Sequence, residues 1–246
     1  MSVDFTPEQQ QIRDSVTRLC AEFGDQYWLA RDSDGRFPEE FCKAIAEHGC
    51  MGIATPVEYG GAGLGITEAA LLMQAISQSG AGNGGVSSIS IGIFGLNPVL
   101  RFGTEEQKRR MLPPVIKREH IACFGVTEPN TGLDPTRLTT RAVRRGVRYV
   151  GHGQKTWIST AQVANKILLI ARTTEEGGAA RPIDGRSLFY ADHPAPDPLL
   201  HRRAGAGLAE IVLNLSSCRG GCVRDKSFGT LRAIAVGAVR RAGRVA

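Results

Sequence analysis

The feature that most constrains this chain is a change of periodicity near Arg118. Before it, apolar residues recur at helical spacing. After it come short β-branched and aromatic runs: "IACFGV", "LTTRAV", "VRYVGHGQKTWIS", "KILLIAR" and "SLFYA". Helices followed by strands, rather than alternating with them, point to an α+β chain. An N-terminal all-α helical domain over 1–118 leads into an incomplete antiparallel β domain over 119–192. An atypical Ala/Gly/Arg-rich tail fills 193–246.

Four helices announce themselves. "FTPEQQQIRDSVTRLCAEF" has Thr6 as N-cap, Pro7 at the first helical position and Gln9 completing a capping box. "FPEEFCKAIAEHGC" starts with Pro38, stops at Gly49 and sets Phe41, Ala44, Ile45 and His48 on one face. "ITEAALLMQAISQS" is apolar on most sides and so a buried helix. "GTEEQKRRMLPPVI" repeats the capping box with Thr104 and Gln107, and Pro113 and Pro114 are expected to end it. Between these lies "GIATPVEYGGAGLG", a Gly-rich connection that lacks the Gly-Lys-Ser/Thr of a phosphate loop. "RRG" at Arg144–Gly146 is a hairpin loop. In the tail, "AGLAEIVLNLSS" and "GTLRAIAVGAVRRAGRVA" carry weak helical spacing.

Composition excludes several classes. Nine basic and four acidic residues lie from Ala191 onward, five of the chain's six net positive charges. The basicity therefore belongs to the tail, without the interleaved aromatics of a nucleic-acid surface, and no nucleic-acid partner is expected. The six cysteines are scattered; Cys218 and Cys222 stand without a second pair, so neither a disulfide framework nor a metal site is expected. Met1 is followed by no apolar leader, and no apolar run approaches a bilayer span, so the expectation is a cytoplasmic protein without a membrane.

"FGVTEPNTGLD" (124–134) is the stretch that asks for a function. An apolar strand ends in a hydroxyl, a carboxylate and a Pro-Asn-Thr-Gly turn. Taken alone, Thr127 reads as a turn hydroxyl, Glu128 as a structural carboxylate, Asp134 as a local cap and Trp157 as a core residue of an alternating strand. His48, His120 and His152 are lone histidines at element ends.

Together the motifs resemble the acyl-CoA dehydrogenase family over about Phe5 to Asp192. "MGIATPVEYGGAGLG" and "FGTEEQKRRMLPPV" resemble segments of its helical domain. "FGVTEPNTGLD" with "GQKTWISTA" resembles its pair of flavin motifs. The resemblance implies FAD as cofactor, an acyl-CoA substrate, electron transfer to an electron-transferring flavoprotein and a homo-oligomer. It implies that Phe124, Val126 and Thr127 line the flavin, with Thr127 as a hydroxyl partner. Gly132 and Leu133 would face the diphosphate or the CoA chain, Trp157 would pack on the ring, and Ile158 and Ser159 would meet its edge. Leu133 stands where many members have Ser, which trades a hydroxyl for an apolar substrate contact. The family's catalytic glutamate comes from a C-terminal helical bundle that is not legible after Asp192, so no catalytic residue is expected in this chain. The family's return strands, with a Gly-x-Arg turn, are equally illegible there. A reading-frame shift near codon 192 is one expectation for the tail. The resemblance thus implies a truncated FAD-dependent acyl-CoA dehydrogenase, for α,β-dehydrogenation of acyl-CoA thioesters, with impaired activity. An inactive flavin- or partner-binding remnant, or an oxidase or monooxygenase on the same scaffold, are the functional alternatives.

Overall fold

The computed structural model describes residues 5–145, 148–174, 185–192, 208–214 and 234–238. The chain divides into two compact units, Met1–Leu100 with Thr104–Ile121, and Arg101–Gly103 with Ala122–Ala246.

The first unit is helical. Its helices are α1 (Pro7–Cys20), α2 (Asp25–Asp34), α3 (Glu39–Glu47), α4 (Ile66–Ile76), α5 (Gly82–Phe94), α6 (Asn97–Phe102) and α7 (Glu105–Ile116). Both expected capping boxes form. Thr6 Oγ1 accepts from Gln9 N at 3.2 Å, and Thr104 Oγ1 accepts from Gln107 N at 3.3 Å, with each Gln side chain returning the bond. Replacing either Thr by Ala should cost about 1 kcal/mol, measurable by urea unfolding of the chain followed in the far ultraviolet. Val16, Leu19, Phe41, Ile45, Leu72, Ile76, Ile89 and Ile93 close one core, and Phe23 and Trp28 meet Phe41 edge-on at 5.4 and 5.0 Å.

Four expectations are corrected here. Pro113 and Pro114 lie inside α7 rather than ending it. Their missing N–H groups are tolerated because the last turn is held at its other end. Lys117 N and His120 N donate to the Pro113 and Pro114 carbonyls, and Val115 and Ile116 are buried. His48 is exposed and only caps α3, with Nδ1 2.8 Å from Ala44 O. The helices α2, α5 and α6 carry no legible signal in the sequence. Finally, the helical stretch Ile66–Phe102 is long and apolar enough to cross a membrane by length and composition. It is not one rod: Gly80 (φ 95°) and Gly82 (φ 54°) break it between α4 and α5, and both halves feed the core of the helical unit.

The Gly-rich connection is a folded loop rather than a spacer. Ala62 N, Gly63 N and Leu64 N donate back to the carbonyls of Gly52, Thr55 and Ile53. A Cβ on Gly61 would stand 2.0 Å from the Thr55 carbonyl oxygen, so only glycine fits this fold-back.

The second unit is a mixed sheet of β1 (Ala122–Gly125), β2 (Arg141–Arg145), β3 (Arg148–Ser159), β4 (Lys166–Arg172), β5 (Arg186–Asp192), β6 (Leu208–Asn214) and β7 (Ile234–Ala238). Its order is β6-β3-β2-β4-β5-β7, with β1 on β4. Most pairs are antiparallel, as the run of strands implied, but β1 runs parallel to β4, Phe124 opposite Leu168. "KILLIAR" reads as unbroken apolar sequence because β4 is central: Ile167, Leu168, Leu169 and Ala171 are all buried. The β2–β3 hairpin pairs out to Arg145 and Arg148, so Arg144 and Arg145 belong to the strand rather than to the loop expected at Arg144–Gly146, and Gly146 lies outside the described residues. In the tail the described parts of the two weakly helical stretches are strands instead. β6 pairs with β3 and β7 with β5, and that long-range pairing outweighs a weak local preference. Cys218 and Cys222 lie outside the described residues. Cys20, Cys42, Cys50 and Cys123 are free thiols, and burial pushes Cys123 up to about 12.

Candidate functional site

The strand unit brings the two suspect motifs together through main-chain bonds. β1 ends at Gly125 and the chain runs on beside β3. There Thr156 N donates to Thr127 O at 2.9 Å, and Lys155 Nζ donates to Val126 O at 2.9 Å. Thr127 is thus stitched to the residue before Trp157. Glu128 and Thr131 exchange both backbone bonds at 3.0 Å, closing a tight turn over Pro129 and Asn130. Asp134 caps the next turn, as expected, accepting from Thr136 N at 3.0 Å; the Thr136 bonds hold its carboxyl below the usual range.

Glu128 is the structural carboxylate anticipated from the turn, but it does far more than close a loop. It is buried, at 4% exposure. One oxygen accepts from Thr139 N and Thr139 Oγ1, both at 2.7 Å. The other accepts from Thr140 N at 3.0 Å and from Lys155 Nζ at 2.9 Å. Burial alone would raise its pKa; the bonds from Thr140, Thr139 and Lys155 outweigh that and bring it to about 2. It stays ionised at any ordinary pH and has no proton-accepting role to offer. Lys155 is fully buried and completes an ion pair with it.

Trp157 stands at the centre of the site. Pairing of β3 with β6 shifts register between Lys155 and Ile158, so Thr156 and Trp157 form a bulge. Trp157 has φ 58° and Thr160 has φ 70°, a left-handed conformation that side chains other than Gly, Asn and Asp seldom adopt. The bulge leaves the indole 58% exposed. Alternation alone had assigned Trp157 to the core; the extra residue turns it outward. Trp157 is therefore not packed in the sheet core, and its display at a strained position makes it a candidate for binding. Beside it, Thr156 Oγ1 is buried with no hydrogen-bond partner among the described residues.

The other expected contacts divide. Phe124, Val126, Thr127 and Ser159 are half-buried along β1, its exit and the end of β3. Ile158 has its side chain in the sheet core at 1% exposure, so only its backbone remains for a ligand. Gly132 has nothing within 4 Å of where a Cβ would stand, and Leu133 is fully exposed. These two sit on open surface of the 131–138 loop. The sequence reading missed Lys155, Thr139 and Thr140. A signal existed: Lys155 is the sole charged residue of "GQKTWISTA" and so the natural partner for the buried acid of the other motif. Among the described residues no group of three His, Cys, Asp or Glu could hold a metal.

An exposed indole beside two hydroxyl-bearing strand ends fits a flat ring with a polar edge. The comparisons point the same way. The N-terminal domain of acyl-CoA dehydrogenases matches residues 6–119 and their middle domain matches 123–211, past the Asp192 at which the sequence reading loses the resemblance. The probable acyl-CoA dehydrogenase YngJ of Bacillus subtilis is 35% identical over 78% of this chain and 48% of its own length. Mitochondrial isovaleryl-CoA dehydrogenase of Bos taurus is 34% identical over 68% of this chain and 39% of its own. The crystal structure of a probable acyl-CoA dehydrogenase from Mycobacterium abscessus superimposes with a TM-score of 0.72, 27% identity, and coverage of 85% of this chain and 56% of that one. The chain spans about half the length of the curated relatives it matches.

Proposed function

The chain belongs to the acyl-CoA dehydrogenase family, and from that membership we propose that its strand unit holds FAD and serves α,β-dehydrogenation of an acyl-CoA thioester. The observation that carries the reading is Trp157, held outward on a strained bulge and tied through Thr156 to Thr127. FAD, when bound, supplies the acceptor for the hydride that leaves the substrate's β-carbon. The chain's own residues bind and orient. Trp157 offers an aromatic face, and the hydroxyls of Thr127 and Ser159 offer directed bonds to a ring edge. Leu133 offers an apolar contact for the thioester chain. An electron-transferring flavoprotein is the proposed electron acceptor.

Neither acid of the two motifs suits the role of α-proton base. Glu128 is kept ionised, buried and occupied by four hydrogen bonds, and Asp134 is taken up capping the turn at Thr136. The base in this proposal therefore lies outside the two motifs. Two measurements test the proposal. The purified chain should show a flavin visible spectrum, or acquire one on incubation with FAD. With acyl-CoA and an artificial electron acceptor it should turn over little by itself. A chain that stays colourless with excess FAD contradicts the cofactor reading, and robust turnover contradicts the placement of the base elsewhere.

A further inference from the structure

Resting on the flavin reading above, we infer that Glu128 and Lys155 form a positioning clamp that sets both the Val126–Thr127 segment and the Trp157 bulge for the flavin. Lys155 is wholly buried, and its ammonium is shared between Val126 O and Glu128 Oε1, each at 2.9 Å. The Thr127 carbonyl is taken by the very next residue, Thr156. Two successive carbonyls leaving β1 are thus occupied by β3. The segment's backbone acceptors are withdrawn, and hydroxyls remain to meet the acceptor-rich edge of a flavin. From the other carboxylate oxygen Glu128 fixes Thr139, and Thr140 N binds beside Lys155, which closes the base of the 129–138 loop.

The same pair accounts for the direction of Trp157. On a regular strand residues 155 and 157 share a face. The clamp holds 155 inside, and the register shift that follows it turns 157 out. Both side chains are buried, so they can act on a ligand only through the residues on either side, as positioning residues.

The test uses the full chain with FAD as probe and three readouts: dissociation constant, shape of the bound flavin's visible band, and hydrogen exchange over residues 154–159. Lys155→Met keeps three of the four Glu128 bonds. It should weaken FAD roughly 10–100-fold, the range for residues that support a binding shell from behind. It should also blur the shoulders of the visible band and speed exchange around Thr156. The double variant Glu128→Gln/Lys155→Gln keeps neutral amide donors and acceptors in place of both charges. It should return FAD affinity to within about tenfold of wild type, because hydrogen bonds rather than net charge hold the segment. If Lys155→Met does not fold, the double variant decides on exchange and affinity together: both kept, or both lost, supports the clamp, and near-native affinity with protection over residues 154–159 lost overturns it. Wild-type affinity, band shape and exchange in a folded Lys155→Met chain overturn the clamp and leave the flavin reading standing. A wild-type chain that takes up no FAD overturns that reading, and the purpose assigned to the clamp falls with it.

Discussion

Replacing Glu128 with alanine should lower the stability of the strand unit by about 3–5 kcal/mol, enough to unfold many domains. Four donors lose their acceptor at once: Thr139 N, Thr139 Oγ1, Thr140 N and Lys155 Nζ. The worst of these is the ammonium, since Lys155 is fully buried and an unpaired interior charge is far more costly than an unpaired amide. Acid should reproduce part of the loss in the unmodified chain. The folded pKa of about 2 lies below the ordinary 4.5. The stabilisation is therefore fully present above pH 4.5 and disappears as pH falls toward 2. That difference corresponds to about 3 kcal/mol. Urea unfolding between pH 7 and pH 3, followed by tyrosine and tryptophan emission, measures it. Glu128→Gln should flatten this part of the profile. A Glu128→Ala chain with native stability, or a profile unchanged by Glu128→Gln, contradicts the account.

Trp157→Gly should separate folding from function. The indole is more than half exposed, so its removal costs the fold little contact. Glycine also adopts φ 58° without the strain an aromatic residue bears there. The variant should be as stable as wild type, or more stable by about 1 kcal/mol. FAD affinity should nevertheless fall by roughly 10–100-fold, since stacking of a flat heterocycle on an aromatic side chain is worth about 1–3 kcal/mol. A conformation that is costly to the empty protein and needed by the ligand is the usual form of a stability–function trade-off. Thermal unfolding and FAD titration of the same preparation check both halves. Destabilisation with unchanged flavin affinity would mean that Trp157 is a packing residue after all.

How much of this was legible in the sequence depended on the range of each interaction. The capping boxes of α1 and α7 formed as read because Thr6–Gln9 and Thr104–Gln107 are three-residue events. The helix α5 was invisible: Gly82, Gly84, Gly85, Ser87 and Ser88 carry poor helix propensity, and burial of Ile89 and Ile93 decides its fold. Pro113 and Pro114 looked like a stop because local rules know nothing of the anchors Val115 and Ile116 that follow. The tail strands β6 and β7 needed partners far away in the chain, the edges of β3 and β5.

At the site, residue types were legible and geometry was not. Thr127, Trp157 and Ser159 stood out only through the pair of motifs. Trp157 alone alternates as a core residue should, and the bulge that turns it outward leaves no mark in composition. The Glu128–Lys155 pair joins residues 27 apart, beyond the reach of any local pattern. Its two members could have been matched as the lone buried charges of two strand-end motifs. Ile158 shows the opposite error. A motif read as a block assigned it to the ligand, whereas its side chain packs in the core.

The central claim is that a flavin rests against Trp157. The chain has two tryptophans, and Trp28 packs with Phe41 in the core of the helical unit. Trp28→Phe therefore leaves Trp157 as the single reporter. Adding FAD to this variant should quench its tryptophan emission in a saturable titration of one flavin per chain, because a ring in contact accepts the indole's excitation. Emission that only declines linearly with FAD, as from collisions in solution, would contradict the account.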